Sequence, residues 1–238
     1  MSKLAPAVPS RAMIIMAHPD DPEFFCGGTV ALWCAAGTLV SYLILTNGDK
    51  GSDDREMTPA RLAAIRRDEQ QAAADILGVN EVLFFNEPDG ELQSTLDLRK
   101  RVVAEIRRYQ PETIIAPDPM RYFFTDRYIN HADHRVAGEI AIDAVFPAAR
   151  NRMYHPELLL EGLEPHTVKE VHLANAEQSN LWVDITEVFD TKIKAILCHT
   201  SQIKEPQHLK ERLVERSTAI DEYGREVFRE GFRVMKIG

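Results

Sequence analysis

Apolar, β-rich runs alternate with stretches of helical period along most of this chain, and that alternation constrains its fold more than any other feature. Strand candidates are 12–17, 39–46, 81–85, 113–117, 168–174 and 181–185. Helical patterns lie between them near 27–36, 58–77, 95–109 and 132–146, while 187–200 and 207–222 close the chain. This rhythm predicts an α/β fold, a Rossmann-like three-layer arrangement with a mainly parallel sheet, because parallel strands need long crossovers and helices then cover both faces. The ligand crevice of such a sheet lies beyond the carboxyl ends of its strands, near a topological switch. The 238 residues suit one large domain, and no repeat, low-complexity tract or linker divides them. The segment 148–166, "AARNRMYHPELLLEGLEPH", reads as an irregular loop able to line a substrate pocket.

Composition narrows the partners. Net charge is −9, from 28 basic and 37 acidic side chains, which argues against a nucleic-acid surface. "MSKLAPAVPSR" has no apolar core of a signal peptide, and no run approaches the ~20 apolar residues of a membrane span, so no membrane partner is expected. Cys26, Cys34 and Cys198 form no CxxC and cannot all pair, which fits a reduced, cytoplasmic protein.

Chemistry concentrates at two strand ends. "MIIMAHPDDPEFFCGG" spends Met13–Ala17 on a strand-like run and follows it at once with His18, Pro19, Asp20 and Asp21. Crowding two carboxylates beside an imidazole costs repulsion unless a cation or a reaction uses them. "NHADHR" places His131, Asp133 and His134 beyond the strand ending near Pro117. In a parallel sheet both groups face one crevice. Three nitrogen or oxygen ligands with an open fourth position make a catalytic zinc site, and the surplus groups can serve as base, acid and orienting partners. Either cluster alone is compatible with a turn or a solvated face; jointly they point to function.

These residues also carry a resemblance. "AHPDDPEFFCGGT" is similar to the AHPDD motif of the PIG-L/LmbE-like family of zinc-dependent N-acetylglucosaminyl deacetylases. The likeness continues through "LTNGDKG", "EPDGEL", "NHADHR" and "VDITEVFDTKIKAILCHTSQ" to the terminal "FREGFR". It implies one LmbE-like deacetylase domain over 1–238, with His18, Asp21 and His134 as metal ligands and Asp20 as general base. It further implies that His131 stabilises the oxyanion or protonates the leaving amine, and that Asp133 orients an imidazole. The metal implied is Zn2+, with Fe2+ also compatible with two His and one carboxylate.

Arg66 is the residue implied to bind substrate. On the helix 58–77, Leu62, Ile65, Ala73 and Ile76 define an apolar stripe with Glu69 at its centre and Arg66 on its edge. An inward Arg–Glu pair is costly to bury without a task; a helix-to-sheet salt bridge is the alternative. The chain departs from the pattern in places. Ile129 stands where some relatives carry a catalytic Tyr, with Tyr128 one position off, and Pro22 follows the Asp pair although Glu23 is kept. Gly27 and Gly28 suggest close backbone approach, and His199 in "CHTSQ" either serves the site or packs.

The function expected is therefore metal-dependent removal of an acetyl or other acyl group from the amide nitrogen of an N-acetylglucosamine-type sugar, the partner being a small N-acyl amino sugar. The alternatives are an amidase of a sugar–thiol conjugate and a non-catalytic sugar- or nucleotide-binding protein. Relatives of this kind assemble, so a homo-oligomer is expected.

Overall fold

A computed structural model describes residues 8–125 and 128–237. Residues 1–7 of the N-terminal stretch, Asp126 and Arg127 of the loop after Pro117, and Gly238 lie outside the described residues.

β1 (Arg11–Met16) explains the layering. Ala12, Ile14 and Met16 enter one core and Met13 and Ile15 the other, and all five are fully buried. A strand apolar on both faces needs helices over each. One core is covered by α1 (Asp21–Ala35), α2 (Pro59–Leu77), α6 (Phe189–Ile196) and α7 (Pro206–Ser217). The other is covered by α3 (Leu96–Tyr109) and α4 (Ala132–Asp143). Side chains set the boundaries: the Thr58 hydroxyl caps α2 by accepting from the Arg61 N–H, and Gly78, in the left-handed region at φ 81°, ends it.

The sheet runs in the order β3 (Glu81–Glu87), β2 (Leu39–Thr46), β1, β4 (Thr113–Pro117), β7 (Glu170–Ala174), β10 (Glu226–Lys236), β8 (Leu181–Asp184). Pairing is parallel from β3 through β7, with Ala12 opposite both Val40 and Thr113. The chain builds outward from β1 to β3 and then crosses back to β4, so the ends of β1 and β4 flank the switch point. Between β4 and α4, a small hairpin of β5 (Phe123–Thr125) and β6 (Tyr128–Ile129) stands off the main sheet. Among the described residues no helix is long and apolar enough to cross a membrane.

The C-terminal third departs from the expected pattern. The helix expected over 207–222 ends at Ser217, and Thr218–Ile220 instead form β9, with Thr218 opposite Phe228 of β10. β10, which contains "FREGFR", is antiparallel to both neighbours, and its charged residues hide the strand from a hydrophobicity reading. The 148–166 segment, after the helical turn that ends at Ala149, holds a short helix, α5 (Glu157–Leu160), and packs away from the crevice. Arg107 donates to the carbonyls of Ala148, Ala149, Asn151 and Tyr154, and His166 meets the carbonyl of Pro111 just before β4. This segment therefore lies at the amino ends of the strands, opposite the switch point.

α1 begins at Asp21 rather than near 27, because Pro22 fits a first turn and has no N–H to leave unpaired. It is interrupted at Cys26 (φ −147°, ψ 16°). Beyond the break, the Glu230 carboxylate on β10 caps the restarted helix, accepting from the N–H groups of Gly28 at 2.9 Å and Thr29 at 2.8 Å. Lys192 Nζ on α6 donates to Glu230 at 2.6 Å, with both side chains 4% exposed. The close approach expected at the Gly pair is real: a Cβ on Gly28 would lie 2.7 Å from Ile185. Removing one partner of a buried pair strands the other charge. Glu230→Ala should therefore cost about 3–5 kcal/mol in urea unfolding, whereas Glu230→Gln, which keeps one acceptor for the helix, should cost less; equal losses would show that the cap contributes nothing.

Candidate active site and metal centre

The strand end that carries His18 is bent by Asp20, whose φ of 102° and ψ of −33° are unusual for a residue with a side chain. Such a conformation costs on the order of 1–3 kcal/mol and persists only when its surroundings enforce it. The enforcement comes from one face of α2. Gln70 Oε1 accepts from the Asp20 N–H at 2.9 Å, and Arg66 Nη2 donates to the Pro19 carbonyl at 2.5 Å and to Asp20 Oδ2 at 3.2 Å. Arg66 Nη1 donates to the carbonyl of Gly48 at 3.0 Å. Gly48 is required there: φ is +64°, and a Cβ would fall 2.6 Å from the guanidinium.

The stripe expected on α2 is only partly the one observed. Leu62 and Ala73 are buried, but so are Arg66, Glu69 and Gln70, while Ile76 is exposed. Arg66 and Glu69 do not pair; Glu69 instead accepts from Thr200, from the Ser201 N–H and from the Ser201 hydroxyl.

Both expected clusters meet at the switch point. His134 Nε2 lies 3.0 Å from Asp21 Oδ1, His18 Nδ1 lies 3.4 Å from Asp21 Oδ2, and the two imidazole nitrogens are 3.3 Å apart. Tetrahedral zinc with bonds of 2.0–2.1 Å separates its ligands by roughly 3.3–3.4 Å, so the spacing of the two imidazoles, with a carboxylate oxygen of Asp21 near each, suits such an ion. The orienting bonds fit too. His18 Nε2 faces Asp89 Oδ1 at 3.1 Å and Asp133 Oδ2 at 3.2 Å, and His134 Nδ1 faces Asn130 Oδ1 at 3.0 Å. Metal-binding imidazoles are typically held through their second nitrogen in this way. His18, His131 and Asp133 form a second possible trio. Asp133, however, is already satisfied by the N–H groups of Gly90 (2.7 Å) and Leu92 (3.3 Å), which suits an orienting role better.

Charge follows this geometry. Burial alone would lower the His18 pKa, yet Asp133, Asp21 and Asp89 hold it well above its ordinary value, so the site stabilises positive charge. Burial raises Asp21, but His134 and His18 outweigh it and keep the carboxyl well below the usual range. Burial dominates at Asp20 and lifts it to about 6 despite Arg66. His131 is exposed at the mouth of the crevice, and partial desolvation and His18 lower its pKa. Its Nδ1 accepts from the Asp133 N–H at 3.2 Å, which leaves the neutral ring's proton on Nε2.

Sequence reasoning gave Asp89, Asn130 and Gln70 no role, although "EPDGEL" marked the loop that carries Asp89. Behind Asp20, Glu23 is fully buried, accepting from Gln70 Nε2 at 3.0 Å and meeting His199 Nε2 at 3.1 Å. His199 is thus part of the support for the site.

Residues 13–145 match the family described as PIG-L, GlcNAc-PI de-N-acetylase. The chain belongs to this family. It is 35% identical to a diacetylchitobiose deacetylase of Thermococcus kodakarensis over 195 residues, 82% of this chain and 71% of the relative. It is also 31% identical to a 4-oxalmesaconate hydratase of Pseudomonas putida, over 80% of this chain and 73% of the relative. Among solved structures, the N,N'-diacetylchitobiose deacetylase of Pyrococcus horikoshii superposes with a TM-score of 0.88 at 31% identity, covering 96% of this chain and 84% of that one. The PIG-L family therefore supplies both the fold and the mainly parallel sheet seen here.

The Glu23–His199 pair gives this PIG-L member a testable pH signature. Burial would lower the His199 pKa, but Glu23 raises it above the ordinary 6.5. A pKa raised on folding adds stability that is complete below the unfolded value and is lost as pH climbs through the raised one. The stability gap between wild type and His199→Gln in urea titrations should be largest below about pH 6.5 and narrow in alkali; a gap constant with pH would show that His199 folds uncharged.

Proposed function

We propose that this protein is a metal-dependent N-deacetylase that hydrolyses the acetamide of an N-acetylglucosamine-type sugar. The observation that carries the reading is the triangle of His18, Asp21 and His134 with a raised carboxyl, Asp20, directly beside it. Relatives named as deacetylases of diacetylchitobiose, of N-acetylglucosaminyl malate and of an inositol-linked acetamido sugar point to the same chemistry.

His18, Asp21 and His134 would hold the ion, zinc or alternatively iron. Bound there, it would supply Lewis acidity toward a water and toward the amide carbonyl. Asp20 accepts the proton that water loses: lifted to about 6, it is ionised at neutral pH yet more basic than an ordinary carboxylate. Arg66 and Gln70 fix its direction; as the water oxygen bonds to the amide carbon and the C–N bond breaks, the same proton returns to the leaving nitrogen, releasing the free amine and acetic acid, which ionises to acetate. His131, neutral with its proton on Nε2, donates a hydrogen bond to the carbonyl oxygen as charge develops there. Asp133 and Asp89 hold His18 from behind. Arg66, 4% exposed, contributes to substrate binding chiefly through the Asp20 it positions. The same reading takes residues 1–238 as one unit working in the cytoplasm as a homo-oligomer, for which the exposed Met120, Phe123 and Ile129 offer apolar surface.

Purified protein should release amine from N-acetylated glucosamine derivatives and stop when treated with a chelator; a hydratase, the activity of the Pseudomonas relative, releases none. The adjacent carboxylates should separate by substitution. Asp21→Asn and His134→Ala should lower bound metal well below one ion per chain, and activity with it. Asp20→Asn should keep the metal while turnover falls about 10²–10⁴-fold. Loss of metal in Asp20→Asn with retention in Asp21→Asn would reverse the assignment.

Arg66→Ala should release Asp20 from its conformation, lowering kcat/KM about 10²-fold or more with the metal retained. A melting temperature that collapses while activity per folded molecule stays normal would make Arg66 purely structural.

A further inference from the structure

A cleft of about 710 Å3 opens from His134 and Phe25 toward Trp182, Arg229 and Gly231. Its lining runs from the segment after β4 past Asn175 and Ala176, at the end of β7, to β10 and β8; β7 to β8 is two strand spacings, about 10 Å, farther than one sugar ring spans. Polarity reverses along it. At one end the cleft meets His134, whose Nε2 lies 3.0 Å from Asp21 Oδ1 in the metal triangle. Among the described residues the lining beyond carries Arg121, Lys192, Arg216 and Arg229 against one acidic side chain, Glu230, which Lys192 already matches at 2.6 Å. Among the described lining residues Arg121, Arg216 and Arg229 are thus left over, in a chain of net charge −9. Among the described residues neither Arg216 nor Arg229 meets a carboxylate, and Asp184, opposite Arg229 in register, turns its Oδ1 to the Thr186 hydroxyl instead.

The arginines are also held in place. Gly231 lets Trp182 lie across its strand partner, since a Cβ there would fall 2.5 Å from the indole. Arg229 then stacks over that indole at 3.9 Å, and Arg121 stacks over Phe124 at 4.4 Å while Nη1 donates to the Asn175 carbonyl at 2.8 Å. Stacking fixes the plane of a guanidinium and leaves edge N–H donors in the fork that suits a carboxylate or phosphate.

We propose that this outer part of the cleft is an anion subsite, and that the substrate is an amino sugar bearing a carboxylate or phosphate on its aglycone side, bound by Arg229 with Arg121 and Arg216. The inference rests on the deacetylase reading, which places the acetamide at the His134 end. A positive lining in an acidic protein also concentrates anionic substrate, an effect that salt weakens.

The test compares methyl N-acetylglucosaminide, N-acetylglucosamine 1-phosphate and the N-acetylglucosaminide of glycolic acid for amine release, in wild type and Arg229→Gln. Binding of glucosamine 1-phosphate and of methyl glucosaminide is measured alongside by calorimetry. Wild type should favour an anionic substrate by about 10–100-fold in kcat/KM, mostly through KM, and preference for the phosphate or the glycolate identifies the anion. Arg229→Gln should shrink that ratio and the calorimetric preference together, with an unchanged melting temperature. Equal handling of charged and neutral compounds in both measurements overturns the subsite while leaving deacetylation intact. If no compound releases amine, the deacetylase reading fails, and the calorimetric preference with its loss in Arg229→Gln still decides the anion subsite.

Discussion

Asp21, Asp89 and Asp133 converge on the His18 imidazole, with Asp20 next to Asp21 in the chain, and the rest of the structure is arranged around offsetting their repulsion. Two like charges 5 Å apart at an effective dielectric of 20 repel by about 3 kcal/mol, so several such pairs would rival the stability of a whole domain. Each neighbouring element supplies part of the compensation. α2 brings Arg66 to Asp20, and the loop after β3 turns the Gly90 and Leu92 N–H groups onto Asp133. α4 brings His134 to Asp21, and the His18 N–H itself bonds Asp21 Oδ2 at 2.8 Å. These groups come from distant parts of the sequence and meet because parallel strands deliver all their carboxyl ends to one edge.

That dependence explains what was legible in the sequence. The strand ends were readable because β1 and β4 are continuous apolar runs, and the motif residues begin where those runs stop. The residues proposed to act on a metal or proton stood out by their chemistry at those ends, and the fold brings them together. Asn130 and Gln70 were not, because an amide becomes meaningful only once the fold shows what it faces: His134 in one case, Glu23 and the Asp20 N–H in the other. Arg66 was placed near the site correctly, but its partner was misjudged. Position i, i+3 suggested Glu69, whereas the tertiary structure offered Asp20 and two carbonyls and gave Glu69 the hydroxyls of Thr200 and Ser201.

The C-terminal strand is the larger miss, and its cause is electrostatic. β10 alternates polar and apolar residues as a half-covered strand should, but Glu230 points inward, where an apolar side chain is expected. The inward charge has a local reason, since α1 breaks at Cys26 and its restarted end presents N–H donors that need an acceptor. Lys192 then balances the acceptor. A break in the first helix, a cation in the sixth and an anion in the last strand thus form one unit, which no local window of sequence contains.

The two adjacent aspartates show most directly how the fold divides labour between identical side chains. Neither residue type nor spacing distinguishes Asp20 from Asp21. The positive φ at Asp20 does, because it turns consecutive side chains in different directions. Asp21 turns toward two imidazoles, which outweigh burial and hold it well below the usual range, as suits a ligand; Asp20 turns toward Arg66 on α2, where burial outweighs the guanidinium and lifts it to about 6, as suits a proton acceptor. Pairs of carboxyls pushed apart by their surroundings commonly mark such a division of roles. Here the separating agent is backbone conformation, and Gln70 and Arg66 maintain it. The strain at Asp20 is therefore part of how the fold sets two adjacent carboxyls apart.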